Sequence, residues 1–310
     1  MNLPVLLALL GGAILWGSAF PLIKVGLEGL SAPHLTLLRH LVASLCFVPL
    51  VAFSRFRAFP RWRDVPGFVA VGAVGIALYH LALNAGEQRV SAGAASLIIA
   101  AAPAISALLA RFFLNERLPL VGWLGSLVSY GGIALIVLSE SGGLQFDPYA
   151  LLILLAALCA SIFFVGQKPF LGRYHGIEVT AFATWGATVP LLVFLPGLAG
   201  AVVASPPAAL AGAYLGVFPS AVAYSLLMVA LSRLEVSVVT TFLYTVPVFA
   251  LLLSWLLLGE VPGAMTVVGG AIAVAGIVVV NLAKRRGTGG SPLTKGSTTP
   301  VGGPAAAPRR

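Results

Sequence analysis

Apolar residues fill blocks of about twenty along most of the chain, and short clusters of charge, glycine, proline or serine separate them. Cutting at that punctuation predicts ten helices, at about 3–24, 33–53, 65–86, 90–112, 119–138, 148–168, 177–198, 208–231, 236–258 and 262–283. At 1.5 Å per residue each is long enough to cross roughly 30 Å of hydrocarbon. The last residues, 287–310, are rich in Gly, Pro, Thr and Ala, a composition that cannot bury a core and predicts a disordered tail.

Two of these blocks share a fault. "AAAPAISALLARFFLNERLP" and "YTVPVFALLLSWLLLGEVPG" each place a proline in an apolar run that ends on a glutamate. Proline lacks the N–H that a helix uses and clashes with the preceding turn, so Pro103 and Pro247 each free a carbonyl, at Ile99 and Leu243. In lipid that carbonyl must find another partner, which predicts a hinge or a cavity-lining position at both prolines.

A shift of 144 residues superimposes the two stretches and the rest of both halves without a gap. Lys24 falls on Lys168, Thr36 on Thr180, Arg89 on Arg233, Pro103 on Pro247, Glu116 on Glu260, Gly125 on Gly269 and Gly132 on Gly276. The chain thus reads as a duplication, with a first repeat over 1–143, a second over 144–286 and the tail over 287–310. An odd number of spans per repeat makes the halves cross the membrane in opposite senses.

Composition agrees that lipid is the solvent. Hydrophobic residues make up 59% of the 310 and charged residues 9%, too few to keep a water-exposed surface wet. The net charge of +9 would suggest nucleic acid in a soluble protein. Here the basic residues sit in short interspan clusters, so nucleic-acid binding is not expected. Cys46 and Cys159 lie inside apolar blocks without metal-ligand spacing and read as small hydrophobes. No metal site or cofactor is predicted. The first block lacks a basic leader and is too long for a signal peptide, so it reads as a membrane helix.

Charge also sets the orientation. With the N-terminus inside, Arg55, Arg57, Arg61, Arg63, Arg111, Arg117, Lys168, Arg173, Arg233 and the basic residues of the tail all lie inside. Only Lys24 and Arg89 lie outside, and Arg39 is within a span. This is the positive-inside bias, and it predicts cytoplasmic termini at both ends in a bacterial cytoplasmic membrane. The fold class expected is an all-α membrane protein, ten helices in two inverted five-helix repeats, with a site near the midplane.

Three stretches carry a resemblance. "ILWGSAFPLIKVGL", "LYHLALNAGEQRVSAGAASLIIAAAPAISALLARFFLNERL" and "EVSVVTTFLYTVPVFALLLSWLLLGEVP" resemble EamA-type proteins of the drug/metabolite transporter superfamily. The resemblance spans about residues 5–283. It implies two inverted repeats, alternating access around a central cavity, and peripheral fifth and tenth helices. The "YH" pair of the third helix looks like the branch of amino-acid exporters, including exporters of aromatic amino acids. The first span has no acid, unlike the four-helix multidrug members, which counts against their proton-coupled cation export.

All nine acidic residues fall at span ends or in loops, which favours recognition by hydrogen bonds and aromatic faces. The substrate-binding candidates are Trp16, Ser18, Tyr79, His80, Phe163, Trp185, Tyr224 and Tyr244, all several residues inside their spans. His80 can hydrogen-bond a substrate or relay a proton; alternatively it bonds a neighbouring carbonyl. His80 and Tyr224 are equivalent under the 144-residue shift, so both can face one cavity. Aromatics so placed also pack between helices. Arg39 reads as snorkelling to the interface, with an anion-attracting role at a cavity mouth as the alternative. Lys24 and Lys168 read as interface anchors, a gate contact being the other option. Small-residue rows such as "GWLGSLVSYGG" and "GGAIAVAG" permit close helix packing, within the monomer or in a homodimer.

The expected function is export of a small metabolite, an amino acid first, with polyamine, nucleoside or hydrophobic cation as alternatives. An intramembrane serine protease built on Ser18 and His80 and a passive channel are the rivals from other classes, and the duplication has no enzymatic rationale. The topology is directly testable. A phosphatase domain inserted after Glu28 should be active outside the cell, and a fluorescent protein fused to the C-terminus should fluoresce inside; the reverse pattern would exclude this orientation.

Overall fold

The computed structural model describes residues 3–53, 59–113, 120–140, 148–231 and 245–288, and among these every regular element is helical. The first half contains α1 (Leu3–Leu27), α2 (Ala32–Ala52), α3 (Val65–Gly72), α4 (Tyr79–Gly86), α5 (Ala92–Ile99), α6 (Ala102–Phe113) and α7 (Leu120–Glu140). The second contains α8 (Pro148–Gly166), α9 (Lys168–Leu171), α10 (Gly176–Leu191), α11 (Leu198–Ala204), α12 (Pro206–Leu215), α13 (Ala223–Leu231), α14 (Val246–Leu258) and α15 (Ala264–Thr288). Six continuous helical stretches are long and apolar enough to span: Leu3–Leu27, Ala32–Ala52, Val65–Gly86, Pro148–Leu171, Gly176–Phe194 and Pro206–Leu227. Shorter apolar helices occupy Ala92–Ser106, Leu120–Ile136, Val246–Leu258 and Ala264–Gly276. The expected tail falls outside the described residues beyond Thr288, as do Glu116, Arg233 and Tyr244.

The molecule wears its apolar side chains outward. Leu45, Leu127, Val193, Leu210 and Leu256 are exposed, whereas the centre is filled by Ala92, Ala94, Ala95, Ala156, Ala250 and Ala273 beside Ile98, Ile136 and Ile153. Lipid removes the hydrophobic drive between helices, so close van der Waals contact between small residues must hold them instead. The row predicted for packing is used within the monomer. A Cβ added at Gly132 would lie 2.5 Å from Gly269 O and from Ala273 N, and one at Gly276 would strike Ser129 N and Gly125 O. These four contacts are one pattern read twice, because 125, 129 and 132 become 269, 273 and 276 under the 144-residue shift. As numbers rise along α7 they fall along α15, so these equivalent helices run antiparallel.

The same reciprocity recurs in the centre of the bundle. A Cβ at Gly72 would meet the backbone of Ala183 and Ala187, and one at Gly216 would meet Arg39 O and Val42. Ser44 Oγ lies 2.9 Å from Thr188 Oγ1, and these two residues are themselves 144 apart. A pseudo-two-fold axis therefore passes between them.

Two features depart from uniform helices. Directly after Gly72 the helix loosens into a π-helical segment, Ala73–Leu78, and directly after Gly216 into another, Gly216–Val222. They are equivalent in the two halves, and such segments leave carbonyls with altered partners. The second departure is at Pro103. The helix predicted over 90–112 is not kinked but divided: α5 stops at Ile99, and α6 begins at Ala102. Pro103 is the second residue of α6, and Pro247 the second of α14, where a missing N–H costs nothing because the first-turn donors have no helical acceptor. Each proline starts a helix.

Gly132→Leu should be incompatible with the α7–α15 contact, because a bulky side chain must displace backbone rather than a flexible neighbour. Overpacking of this kind costs about 1–3 kcal/mol. A lowered Tm of the detergent-purified protein, larger than for Leu at the open Gly131, checks this.

Candidate functional site

The π-helical segments aim side chains at one place. In the first half, the turn after Leu78 presents Tyr79 and His80; in the second, the turn after Val222 presents Tyr224. His80 and Tyr79 rings meet edge-on at 4.5 Å, and His80 meets His40 of α2 at 4.8 Å, also edge-on. Across the bundle, Trp16 of α1 meets Tyr224 edge-on at 5.3 Å. His40 and His80 are both buried.

Hydrogen bonds fix the tautomers of both histidines. Nδ1 of His80 lies 2.9 Å from Ile76 O, and Nδ1 of His40 lies 2.7 Å from Thr36 O. A carbonyl only accepts, so each Nδ1 carries the proton and donates it, which leaves each Nε2 an acceptor in the neutral ring. Both readings offered for His80 thus hold together: one nitrogen satisfies its own helix and the other remains available. Trp16 Nε1–H donates to Pro219 O at 3.0 Å, inside the second π-helical segment.

Arg39 is the main correction to the sequence reading. It does not snorkel. Its side chain is buried, and Nε–H donates to Ser220 Oγ at 3.0 Å, while Ser220 Oγ–H donates to Leu215 O at 3.0 Å. Tyr79, Tyr224 and Glu87 are near enough to act electrostatically on the guanidinium. The result is a buried cation inside a ring of aromatic and imidazole groups, held by a serine on the π-helical segment of the other half.

The other candidates are placed less centrally. Ser18 Oγ–H donates to Leu15 O at 2.8 Å and lies 2.9 Å from Tyr214 Oη. Trp185 Nε1–H donates to Ser44 O at 3.1 Å and packs with Phe182 beside Phe68, near the pseudo-two-fold axis rather than with Trp16. Phe163 is buried against Gly75, at the back of the first π-helical segment. Pro247 is buried at the start of α14, and Tyr244 lies outside the described residues. The structure therefore joins Trp16, Tyr79, His80 and Tyr224 and adds Arg39, His40 and Ser220. Arg39 had a legible signal, since it is the Lys or Arg that lies deepest inside a predicted span. Ser220 had none. Among the described residues no group of three or more His, Cys, Asp or Glu is placed to hold a metal.

The model of the EamA-like transporter family matches residues 3–138 and again 147–282. The chain belongs to this family. The two matches fall on the two halves whose helices pack reciprocally. A Bacillus subtilis protein described as uncharacterized transporter YdfC is 40% identical over 264 residues, covering 85% of this chain and 86% of its own length. A probable terminal-alkyne amino-acid exporter of Streptantibioticus cattleyicolor is also 40% identical, over 283 residues, 90% of this chain and 95% of its own. The uncharacterized inner membrane transporter YedA of Escherichia coli K12 is 25% identical over 295 residues, 91% of this chain and 92% of its own. A protein of known crystal structure covers 90% of this chain and 98% of its own at a TM-score of 0.59 and 23% identity, which speaks to the fold alone. The chain is a multi-pass membrane transporter of the EamA type.

Ser220→Ala removes the acceptor of the Arg39 Nε–H and leaves a buried donor on a charged group. Hydrogen bonds to charged groups are worth about 1.5–3 kcal/mol, so the variant should unfold at a lower Tm in detergent. Ser225→Ala, whose hydroxyl serves only Ala221 O, should change little.

Proposed function

We propose that this transporter exports a neutral amino acid by alternating access between two inverted five-helix repeats. In this reading the ten apolar segments all span, the repeats occupy 1–143 and 144–286, and residues 287–310 are a cytoplasmic tail beside a cytoplasmic N-terminus. The membrane is a bacterial inner membrane. The α7–α15 contact already buries the small-residue rows, so the reading needs no homodimer.

One observation carries the substrate class. Arg39 places a permanent positive charge beside Tyr79, His80 and Tyr224, and the carboxylate that acts on it among the described residues, Glu87, lies at the end of α4 outside these ring contacts. A buried guanidinium is matched best by a carboxylate, to which it can donate from two nitrogens at once. Polyamines and hydrophobic cations would meet repulsion there, and a nucleoside offers no anion. The aromatic edges suit an apolar or aromatic side chain, and the free Nε2 of His80 can accept from the substrate ammonium. The 40%-identical amino-acid exporter supports the same class.

Transport then needs no chemistry on the substrate. The substrate enters from the cytoplasm, its carboxylate takes the Arg39 donors, and its side chain lies against Trp16 and Tyr224. Both halves contribute to this site, α1, α2 and α4 from one and Ser220 and Tyr224 from the other. A rocking motion of one repeat against the other therefore changes which side the site faces, as inverted repeats do.

Counterflow in proteoliposomes tests this. Neutral amino acids should exchange saturably, and spermidine and uridine should not. Arg39→Gln should lower exchange by at least about tenfold, the loss of one charge-assisted hydrogen bond of roughly 1.4 kcal/mol or more. Trp16→Ala and His80→Ala should also slow it. Normal exchange in all three variants would exclude this site.

A further inference from the structure

A second group of charges lies one end of the bundle away from Arg39. Gly259, at φ +68°, turns the chain at the end of α14, and Glu260 then reaches back to the first half. Its Oε2 accepts from Ala92 N–H at 2.9 Å, in the first turn of α5, and its Oε1 lies 3.7 Å from Lys24 Nζ on α1. This contact fastens α1, α5 and α14 together. Beside it stands Glu87, at the end of α4. Glu87 is 0% exposed, and neither carboxylate oxygen has a hydrogen-bond partner among the described residues.

An ionised carboxylate in such a place is costly. Removing a charge from water without hydrogen bonds costs several kcal/mol, and a protein commonly avoids this by neutralising the group. The charges acting on Glu87 are Lys24 and Arg39, which attract, and Glu260, which repels. Lys24 is already held by Glu260, and Arg39 points to Ser220. Tyr149 of α8 faces the neighbouring Arg89, whose guanidinium covers its ring at 4.8 Å. α5 brings no titratable group, α2 adds the neutral His40, and α4 itself carries Tyr79 and His80. Lys24 is engaged by Glu260 and Arg39 by Ser220, so the Glu87 oxygens are left without a donor of their own among the described residues.

Glu87 is also connected to the substrate site. His80, Asn84 and Glu87 stand at i, i+4 and i+7 of one helix face. All three are buried, Asn84 Nδ2–H donates to Thr36 Oγ1 at 2.8 Å, and Asn84 Oδ1 lacks a partner too. A polar stripe thus runs from the imidazoles to the closed end.

We propose that Glu87 is a proton-binding site, which takes a proton from water when this end closes under the Lys24–Glu260 contact and returns it when the end opens. Closure converts carboxylate plus proton to the neutral acid; opening hydrates the group and reverses it. Proton activity at this end then favours the closed state, and the His80–Asn84–Glu87 stripe ties that state to the substrate site. The last step rests on the amino-acid transport reading; the protonation itself does not.

Infrared spectra of the protein reconstituted in phosphatidylcholine vesicles test the protonation without substrate. At pH about 7, well above the ordinary carboxylate range, the wild type should show a protonated-carboxyl C=O band. Glu87→Gln should remove it and Glu28→Gln should leave it. A wild type without the band, or a Glu87→Gln protein that keeps it, overturns the assignment. Glu87→Gln should also hold the wild-type Tm, since a neutral amide replaces a neutral acid; a clear fall would mean an ionised partner of Lys24 and would overturn it as well. In counterflow of a neutral amino acid, wild-type exchange should change several-fold for each pH unit across about two units, as for a single titrating proton, and Glu87→Gln should change less than about twofold. Equal pH dependence in both proteins overturns the coupling. Absent counterflow with the infrared band intact counts against the amino-acid reading alone.

Discussion

A carbonyl with no partner costs several kcal/mol in lipid, and the arrangement of this bundle follows from where the helices leave carbonyls exposed. Regular helices need no help. The irregular places do, and a side chain meets each of the following, from its own segment or from another helix. Trp16 donates to Pro219 O, Ser220 to Leu215 O and His80 to Ile76 O. At the break between α5 and α6, the Ser161 hydroxyl lies 2.8 Å from Ala102 O and from Ala157 O, and can donate to one at a time. The side chains that repair the backbone of the two π-helical segments are also those that surround Arg39. Irregular backbone and site are one feature.

Symmetry explains the scaffold, and its breaking gives the proposed site its single buried cation. The glycine contacts at α7 and α15 and the Ser44–Thr188 pair repeat across the pseudo-two-fold axis because the backbones must approach closely in both halves. The polar groups around Arg39 do not repeat. Arg39 has Ala183 as its equivalent, His40 has Thr184, His80 has Tyr224, and Glu87 has Leu231. A duplicated frame that keeps its small residues while the residues around Arg39 differ has one buried guanidinium where strict symmetry would give two. Two like guanidiniums in one buried space would repel, so a single copy is the stable solution.

The two ends of the described bundle are fastened differently. Lys24 and Glu260 are 21% and 26% exposed, so water screens their attraction and the contact can be broken cheaply. At the other end Asp64 is more enclosed. It takes Arg173 at 3.0 Å and the Tyr174 hydroxyl at 2.7 Å, and Tyr174 also receives Arg61 N–H. A weak screened contact over a buried acid is suited to opening, whereas the Asp64 network binds the start of α3 to the α9–α10 connection.

Much of the frame was legible in the sequence because its causes are local or periodic. Lipid demands apolar blocks of fixed length, and duplication leaves rare residues in register, so the apolar helices and the 144-residue correspondence could be read without coordinates. The family resemblance followed from the same residues. Trp16, Tyr79, His80 and Tyr224 were identified from their depth in their spans. What the sequence could not show depends on backbone breaks and on residues distant in the chain. The helix predicted over 90–112 is two helices, because a one-dimensional pattern does not distinguish a bent helix from a divided one. Arg39 read as an interface group because its partner, Ser220, lies 181 residues away. Glu87 read as a span-end acid because only the tertiary packing of α1, α5 and α14 removes it from water. Pattern and composition determined where the chain crosses and how its halves correspond. Which polar groups are buried together was decided by packing, since burial belongs to the neighbours a residue acquires and not to the residue itself.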